Sequence, residues 1–506
     1  MAKLDRDLLA IQEVRNLVAK AREAQEVMKT FTQEQVDEIV RSMAQEGESI
    51  AEWLAKAAVE ETEMGVYEHK VIKNLFAVKK VYESIKDMKT VGIINYDPDK
   101  KIWEIAEPVG VIAALTPTTN PTSTALYKSL IAIKSRNAVV FSPHPRAADC
   151  TSQAVEAMHN AAVQAGAPEG ILSCITSPTL EAVQTLMRHK DTALILATGG
   201  SEMVKAAYSS GKPAYGVGPG NVPAYIEKSA DVRKAVEAII ESKTFDNGTI
   251  CSSEQAVICD RQIAGKVRLY FEELGGVFIT QEDVPLLERY MFGADGRLNP
   301  AIVGKPAIDI AQSAGIKEIP ADIKVILVSL AGVGVKYPLS KEKLSPVLAF
   351  YEVGDWCEAS RLSRQILEMG GIGHTVSIHS NDEKVIKAFA LEQPVSRILI
   401  NQPSSLGGIG GTSGLVPSLT LGCGTMGGNI TTDNISPANL LNIKRLAYDI
   451  KTGGMLKDEL IVNTKNELTK KSSEIKDVSV RDDEVIKKVI EEVLRKLSGM
   501  GLIESK

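Results

Sequence analysis

Cys251 stands in the stretch FDNGTICSSEQ, just past the turn signal Asn247-Gly248 and just before an apolar run that reads as a strand. A thiol at the mouth of a loop, close to free backbone amides, can act as a nucleophile and form one edge of an oxyanion hole. The same residue also serves elsewhere as an inert apolar filler, and spacing alone leaves both readings open. Asn120, flanked by Thr119 and Pro121 in TPTTNPTST, either donates its amide to an oxyanion or only closes its own loop. Gly199, Gly200 and Ser201 in ALILATGGSEMV fall where a strand gives way to a helix. Free N–H groups there can face a pyrophosphate, or simply make a turn. His374 and His379 in GIGHTVSIHS sit at a loop–strand junction with no third ligand at suggestive spacing, so no metal site is expected and a base role for His374 stays open.

Such residues need rigid elements behind them. From Arg6 to about Lys89 apolar positions recur at three- and four-residue spacing, which predicts a helical N-terminal region. Pro108 to Leu115 reads as a short buried strand, Ala125 to Ile133 as a helix and NAVVFSPHP as a second strand; the alternation continues through SEMVKAAYSSG. That succession predicts an α/β fold with a parallel sheet covered by helices. A second α/β stretch runs from about Ser242 to Ile430, with EQAVICD, KVILVSL and SRILIN as strands. Cys259, inside the first of these, reads as core.

Composition excludes several function classes. With 58 basic against 64 acidic side chains, the net charge of -6 provides no broad positive field, so nucleic acid is not expected as a partner. Apolar runs are too short to cross a bilayer, and MAKLDRDLLAIQEV lacks the apolar core of a secretory signal. The expected location is the cytoplasm, without membrane association. The six cysteines show no CxxC spacing, so neither a zinc site nor a disulfide framework is predicted.

The end of the chain changes character. NTKNELTKKSSEIKD reads as an exposed linker over about 461–480, and DDEVIKKVIEEVLRKLSG as an amphipathic helix over about 481–499. Val485, Ile486, Val489, Ile490, Val493, Leu494 and Leu497 form one apolar stripe on it. Such a helix either docks on its own domain or binds a groove on another protein.

Several stretches in one order, EPVGVIAALTPTTNPTST, ATGGSEMV, GVGPGNVP, FDNGTICSSEQ, EKLSPV, GIGHTVSIHS, LTLGCGTMGGN and LLNIKRLA, resemble the aldehyde dehydrogenase superfamily, and within it the CoA-acylating branch, over roughly residues 15 to 455. The resemblance implies that Cys251 is the catalytic thiol and that Asn120, with the Cys251 backbone N–H, holds the oxyanion. It implies cofactor contacts at Thr116, Pro117, Ser142, Pro143, Gly199, Gly200, Ser201 and Gly218, with Glu342 on the nicotinamide ribose. The implied cofactor is NAD, with NADP as the alternative, and the co-substrate is coenzyme A. The implied fold is a Rossmann-type cofactor domain without GxGxxG over 1–240, an α/β catalytic domain over 241–430, and a return segment and oligomerisation element over 431–460. A homo-oligomer, dimer or tetramer, is expected from the last of these.

Departures from the hydrolytic branch sharpen the expectation. Where those enzymes carry a general-base glutamate in Glu-Leu-Gly-Gly-Lys, this chain reads Val217-Gly218-Pro219-Gly220-Asn221, with no carboxylate to activate water. The expected reaction is therefore oxidation of a short-chain aldehyde, acetaldehyde or propionaldehyde, to acyl-CoA through a cysteine thioester. Hydrolysis to free acid and a non-catalytic scaffold are the alternatives. The linker and last helix resemble peptides that carry such enzymes into bacterial microcompartments, which implies a shell protein as partner.

Overall fold

The computed structural model describes residues 5–450 and 483–499. The linker expected over 461–480, and residues 451–460 of the expected oligomerisation element, lie outside the described residues. The chain separates into two units, Met1–Asn95 with Glu104–Lys444 and Tyr96–Trp103 with Arg445–Lys506.

The first unit opens with the predicted helices, Arg6–Met28, Gln33–Ser49, Ala51–Thr62, Tyr67–Leu75 and Val81–Ile85, the last two joined by a π-turn over Phe76–Lys80. Their apolar stripes are buried: Ala10, Val14, Val18, Ala21, Ala24 and Met28 of the first helix all face inward, as their three- and four-residue spacing requires. Thr32 and Gln35 make a reciprocal capping box that starts the second.

Two parallel sheets follow. Strands β3 (Val111–Leu115), β4 (Ala138–Ser142), β5 (Leu172–Cys174), β6 (Thr192–Thr198) and β7 (Ala214–Val217) form a sheet in the order β5-β4-β3-β6-β7. Strands β8 (Val222–Ile226), β9 (Glu254–Asp260), β10 (Gly276–Phe278), β11 (Val325–Ser329), β12 (Val347–Val353), β13 (Gly373–His379) and β14 (Val395–Ile400) form the second, in the order β10-β11-β12-β9-β8-β13-β14. Every residue of β3, β4, β8, β9 and β13 is buried; β3 and β4 read as near-continuous apolar runs, whereas β9 and β13 bury polar side chains at several positions. A third sheet joins β1 (Gly92–Asp97), β2 (Ile102–Pro108) and β15 (Leu441–Ala447).

The structure departs from the sequence reading at three places. Pro108 closes β2, and the buried strand begins only at Val111. The helix read from Ala125 begins at Pro121, because proline is at ease in a first helical position and Thr122, Ser123 and Thr124 are buried there. The change of sheet falls between Val217 and Val222, through Gly218-Pro219-Gly220-Asn221, ahead of the Ser242 at which the second α/β stretch is expected to begin.

Helix Asp483–Gly499 is present in the second unit, and its Ile486, Val489, Ile490, Val493 and Leu494 are all at least 50% exposed. Among the described residues no helix is long and apolar enough to cross a membrane.

Candidate active site

In the five-stranded sheet β3 is followed outward on one side by β4 and β5 and on the other by β6 and β7, so the strand order reverses between β3 and β6. A crevice at the carboxyl ends of parallel strands beside such a reversal is where open α/β sheets bind ligands. A cavity of about 530 Å³ opens there. Each expected cofactor residue of this region follows a strand end: Thr116 and Pro117 after β3, Ser142 and Pro143 at the end of β4, Gly199 and Gly200 after β6, and Gly218 after β7. All of these line the cavity, as do Asn120, Cys251 and Glu342. Ser201 is the first residue of the helix Ser201–Tyr208, next to the lining Gly200.

Local backbone chemistry explains how Cys251 reaches the same space. After the helix Val232–Thr244 the chain turns sharply, with Asp246 and Asn247 both at positive φ, 50° and 52°. Asn and Asp tolerate that region better than other side chains, and Gly248 continues the turn at φ 74°. The turn delivers Cys251 to the cavity just before β9 begins. Opposite it, the joint between the sheets is packed against the nucleophile's own main chain: a Cβ added at Gly220 would overlap the carbonyl oxygen of Cys251 and lie 3.3 Å from His374 Cε1.

Asn120 is the residue before the helix Pro121–Lys134, and its side chain does not cap that helix. Its Nδ2 donates to Thr119 Oγ1 at 3.1 Å and lies 3.5 Å from the Thr249 carbonyl, a reach too long for a strong bond. The bond to Thr249 is thus the weaker of the two the amide makes, and Asn120 and Cys251 line the same cavity. Its Oδ1 accepts from the Lys73 ammonium.

The electrostatics differ from the lowered thiol pKa that would help a nucleophile. Burial first, and then the Glu342 carboxylate, push Cys251 up to about 12; the Arg397 guanidinium and the residue's own backbone N–H pull the other way. Burial likewise pushes Glu342 up to about 7, although the Gly220 N–H donates to its Oε1 at 3.0 Å. The stretch that lacks a carboxylate in sequence therefore has one brought to it from the loop before β12. His374 is the second residue and His379 the last of β13, every residue of which is buried. Burial, with Arg397 beside it, pushes His374 down to about 3, so its ring is neutral, and its Nε2 has no partner among the described residues.

The family model described as the aldehyde dehydrogenase family matches residues 8–273. A succinate-semialdehyde dehydrogenase (acetylating) from Clostridium kluyveri is 40% identical over 86% of this chain and 95% of its own length. The chain belongs to the aldehyde dehydrogenase family. Aldehyde-alcohol dehydrogenase 2 of Entamoeba histolytica is 47% identical over 86% of the chain but 51% of its own length, so the chain spans about half of that relative. Among solved structures, an acetylating aldehyde dehydrogenase from Geobacillus thermoglucosidasius matches with a TM-score of 0.88 and 53% identity, over 89% of this chain and all of that one. A propionaldehyde dehydrogenase from the fucose utilisation bacterial microcompartment of Clostridium phytofermentans matches with a TM-score of 0.79 and 30% identity, over 87% and 98%. A Rhodopseudomonas palustris propionaldehyde dehydrogenase with bound CoA and an acylated cysteine matches at 0.78 and 29%, over 86% and 97%.

In this aldehyde dehydrogenase family member the sequence reading missed the groups behind the cavity wall. Asp246 lay in the quoted motif but read only as part of a turn; it is fully buried between Lys70 and Lys73. Arg397, on β14 and 3% exposed, bonds the carbonyls of Gly422 and Thr432, and no carboxylate pairs with it among the described residues. Lysines in an amphipathic helix and an arginine in a strand carry no signal of such burial in their spacing.

Proposed function

We propose that this chain oxidises a short-chain aldehyde, acetaldehyde or propionaldehyde, with NAD and transfers the acyl group to coenzyme A through a thioester on Cys251. The observation that carries this reading is the one cavity that Cys251, Asn120 and the ends of β3, β4, β6 and β7 all line. On this reading the five-stranded sheet is the core of the cofactor domain and the seven-stranded sheet that of the catalytic domain. The residues suit a dinucleotide: Thr116 and Thr124 line the cavity with hydroxyls that have no partner among the described residues, and nothing lies within 4 Å of where a Gly200 Cβ would be. The unpaired N–H groups at the start of Ser201–Tyr208 suit a pyrophosphate. When bound, the nicotinamide supplies the hydride acceptor, NADP being the alternative form.

The chain's own part runs as follows. The Cys251 thiolate adds to the aldehyde carbonyl, forming a carbon–sulfur bond, while Asn120 Nδ2 and the Cys251 N–H receive the charge that develops on oxygen. Oxidation leaves a thioester on Cys251. The CoA thiolate then forms a new carbon–sulfur bond to the acyl carbon as the bond to Cys251 breaks, so the thioester's energy is kept and the reaction is reversible.

One observation favours a second reading. The Glu342 carboxyl, near neutrality in its pKa and held at Gly220 beside Cys251, is placed to activate water. Product analysis decides between them. With acetaldehyde and NAD, omission of CoA is expected to stop NADH formation after one turnover per Cys251, and addition of CoA to restore it with acyl-CoA as product. Free acid formed at full rate without CoA would sink the acylating reading.

The last helix is proposed to bind a microcompartment shell protein through its exposed stripe, and the chain to form a homo-oligomer through β15, where Leu446 is 45% exposed. The microcompartment origin of one similar enzyme supports the first point. Removal of residues 462–506 is expected to leave NADH formation and oligomer size intact while abolishing co-sedimentation with shell protein. Loss of enzyme activity on truncation would count against a detachable helix.

A further inference from the structure

A buried ion cluster lies directly behind the loops of Asn120 and Cys251. Lys73, on Tyr67–Leu75, is 2% exposed, and its ammonium bonds Asn120 Oδ1, Asp246 Oδ2 and, at 2.9 Å, Thr249 Oγ1. Those three bonds use all of its protons. Asp246 is also held by Lys70 Nζ at 3.1 Å, by the Val66 N–H at 2.7 Å and by Thr249 Oγ1 at 2.7 Å. Lys70 donates in addition to the Thr119 carbonyl at 3.1 Å. Thr119 precedes Asn120, and Thr249 stands two residues before Cys251, so one helix turn holds both loops.

We propose that Lys73 is the positioning residue of the oxyanion site, fixing which end of the Asn120 amide faces the aldehyde oxygen. The inference rests on the thioester chemistry proposed above. An asparagine amide presents an oxygen and an NH2 of nearly the same shape, and turning it over exchanges donor for acceptor. Lys73 removes that freedom, because an ammonium has no acceptor to offer and only Oδ1 can face it. The NH2 is then turned to Thr119 Oγ1 and the Thr249 carbonyl, and the long 3.5 Å bond to Thr249 is the one an aldehyde oxygen would replace. Without Lys73 the amide is free to present its oxygen to a developing anion, which repels it.

Charge adds to geometry. Lys70 and Lys73 share one carboxylate, which leaves the cluster one positive charge in excess in a fully buried setting. A fixed charge of that sign, behind the donor and shielded from water, favours the oxyanion over the neutral carbonyl. Burial lowers Lys73 to about 8, opposed by Asp246, so it remains charged at neutral pH.

The test uses the full chain and the pre-steady-state burst of NADH with acetaldehyde, which needs no CoA. Lys73→Met is expected to slow the burst about 10- to 100-fold, against about 100- to 1,000-fold for Asn120→Ala, with the aldehyde KM little changed. In the double variant the further loss relative to Asn120→Ala should fall well short of the loss that Lys73→Met causes alone, since Lys73 acts chiefly through that amide and only in part through its charge. Losses that simply multiply, or a normal burst in Lys73→Met, overturn the proposal. Should Lys73→Met fail to fold, Lys73→Met with Asp246→Asn removes charge from both partners and is expected to fold with an equally slow burst; a normal burst there also overturns it. Because the burst precedes acyl transfer, a free-acid product would end the acylating reading and leave the Lys73 result readable.

Discussion

Cys251→Ala is expected to lower NADH formation by at least about 10⁴-fold, the scale seen when a nucleophile is removed from a site whose other groups remain. Among the described residues Cys251 contributes the thiol that lines the cavity, while Cys423, in the same apolar cluster, does not reach its wall. Shortening the side chain removes one sulfur from a partly exposed position, so the melting temperature should stay close to that of the parent. Alkylation by iodoacetamide is the companion measurement. A thiol pushed up to about 12 is protonated at neutral pH, and its thiolate fraction grows tenfold with each pH unit below that value. The labelling rate at Cys251 should climb with that slope between about pH 7 and 9 and be absent from the alanine variant. Unchanged NADH formation in Cys251→Ala would remove the residue from the mechanism and revive the scaffold reading.

Gly220→Ala is the second change with a large expected effect, although the residue contributes no side chain. Its Cβ would overlap the Cys251 carbonyl oxygen, and that neighbour is main chain, which cannot swing aside. Either the loop of Cys251 or the joint between the sheets must move. Displacement of a reacting group by about 1 Å costs on the order of 10²-fold in rate, and overpacking costs about 1–3 kcal/mol of stability. Lower kcat with a lower melting temperature is therefore expected. Gly265→Ala is the control, since no atom lies within 4 Å of its Cβ position and it sits near the start of the helix Ala264–Glu273, where alanine is favoured. Parent activity in Gly220→Ala would show that the contact at the thiol is slack.

The sequence exposed the wall of the site better than its support. Buried parallel strands announce themselves as apolar runs, and the loops after them are where ligands gather; Thr116, Ser142, Gly199 and Gly218, which the family resemblance implies as cofactor contacts, stand at such strand ends on the cavity wall. Asn120 was harder to place in a fold. Threonine and proline around it read as breakers, yet tertiary burial draws Pro121 to Thr124 into the helix and makes Asn120 its threshold residue. His374 read as standing where a loop meets a strand, and it is the second residue of β13, but the depth of its burial was not legible beside a stretch in which three of the four residues from Gly370 to Gly373 are glycine. Neither Lys73 nor Arg397 was legible. Their roles depend on partners far along the chain, and nothing in a helical or strand period distinguishes a lysine that faces water from one that faces a buried aspartate. The CoA acceptor was inferred from the carboxylate missing between Val217 and Asn221, and the arrival of Glu342 at Gly220 shows that a gap in sequence can be partly refilled in space.

The passage from β7 to β8 takes only four residues, and one of them rests on the carbonyl of Cys251. It works as a linkage rod between two plates. If one sheet slides on the other, the displacement is delivered to the sulfur through main chain, with no rotamer in between to absorb it. The crevice at the ends of β3 and β6 and the thiol thus share one cavity and one short main-chain connection.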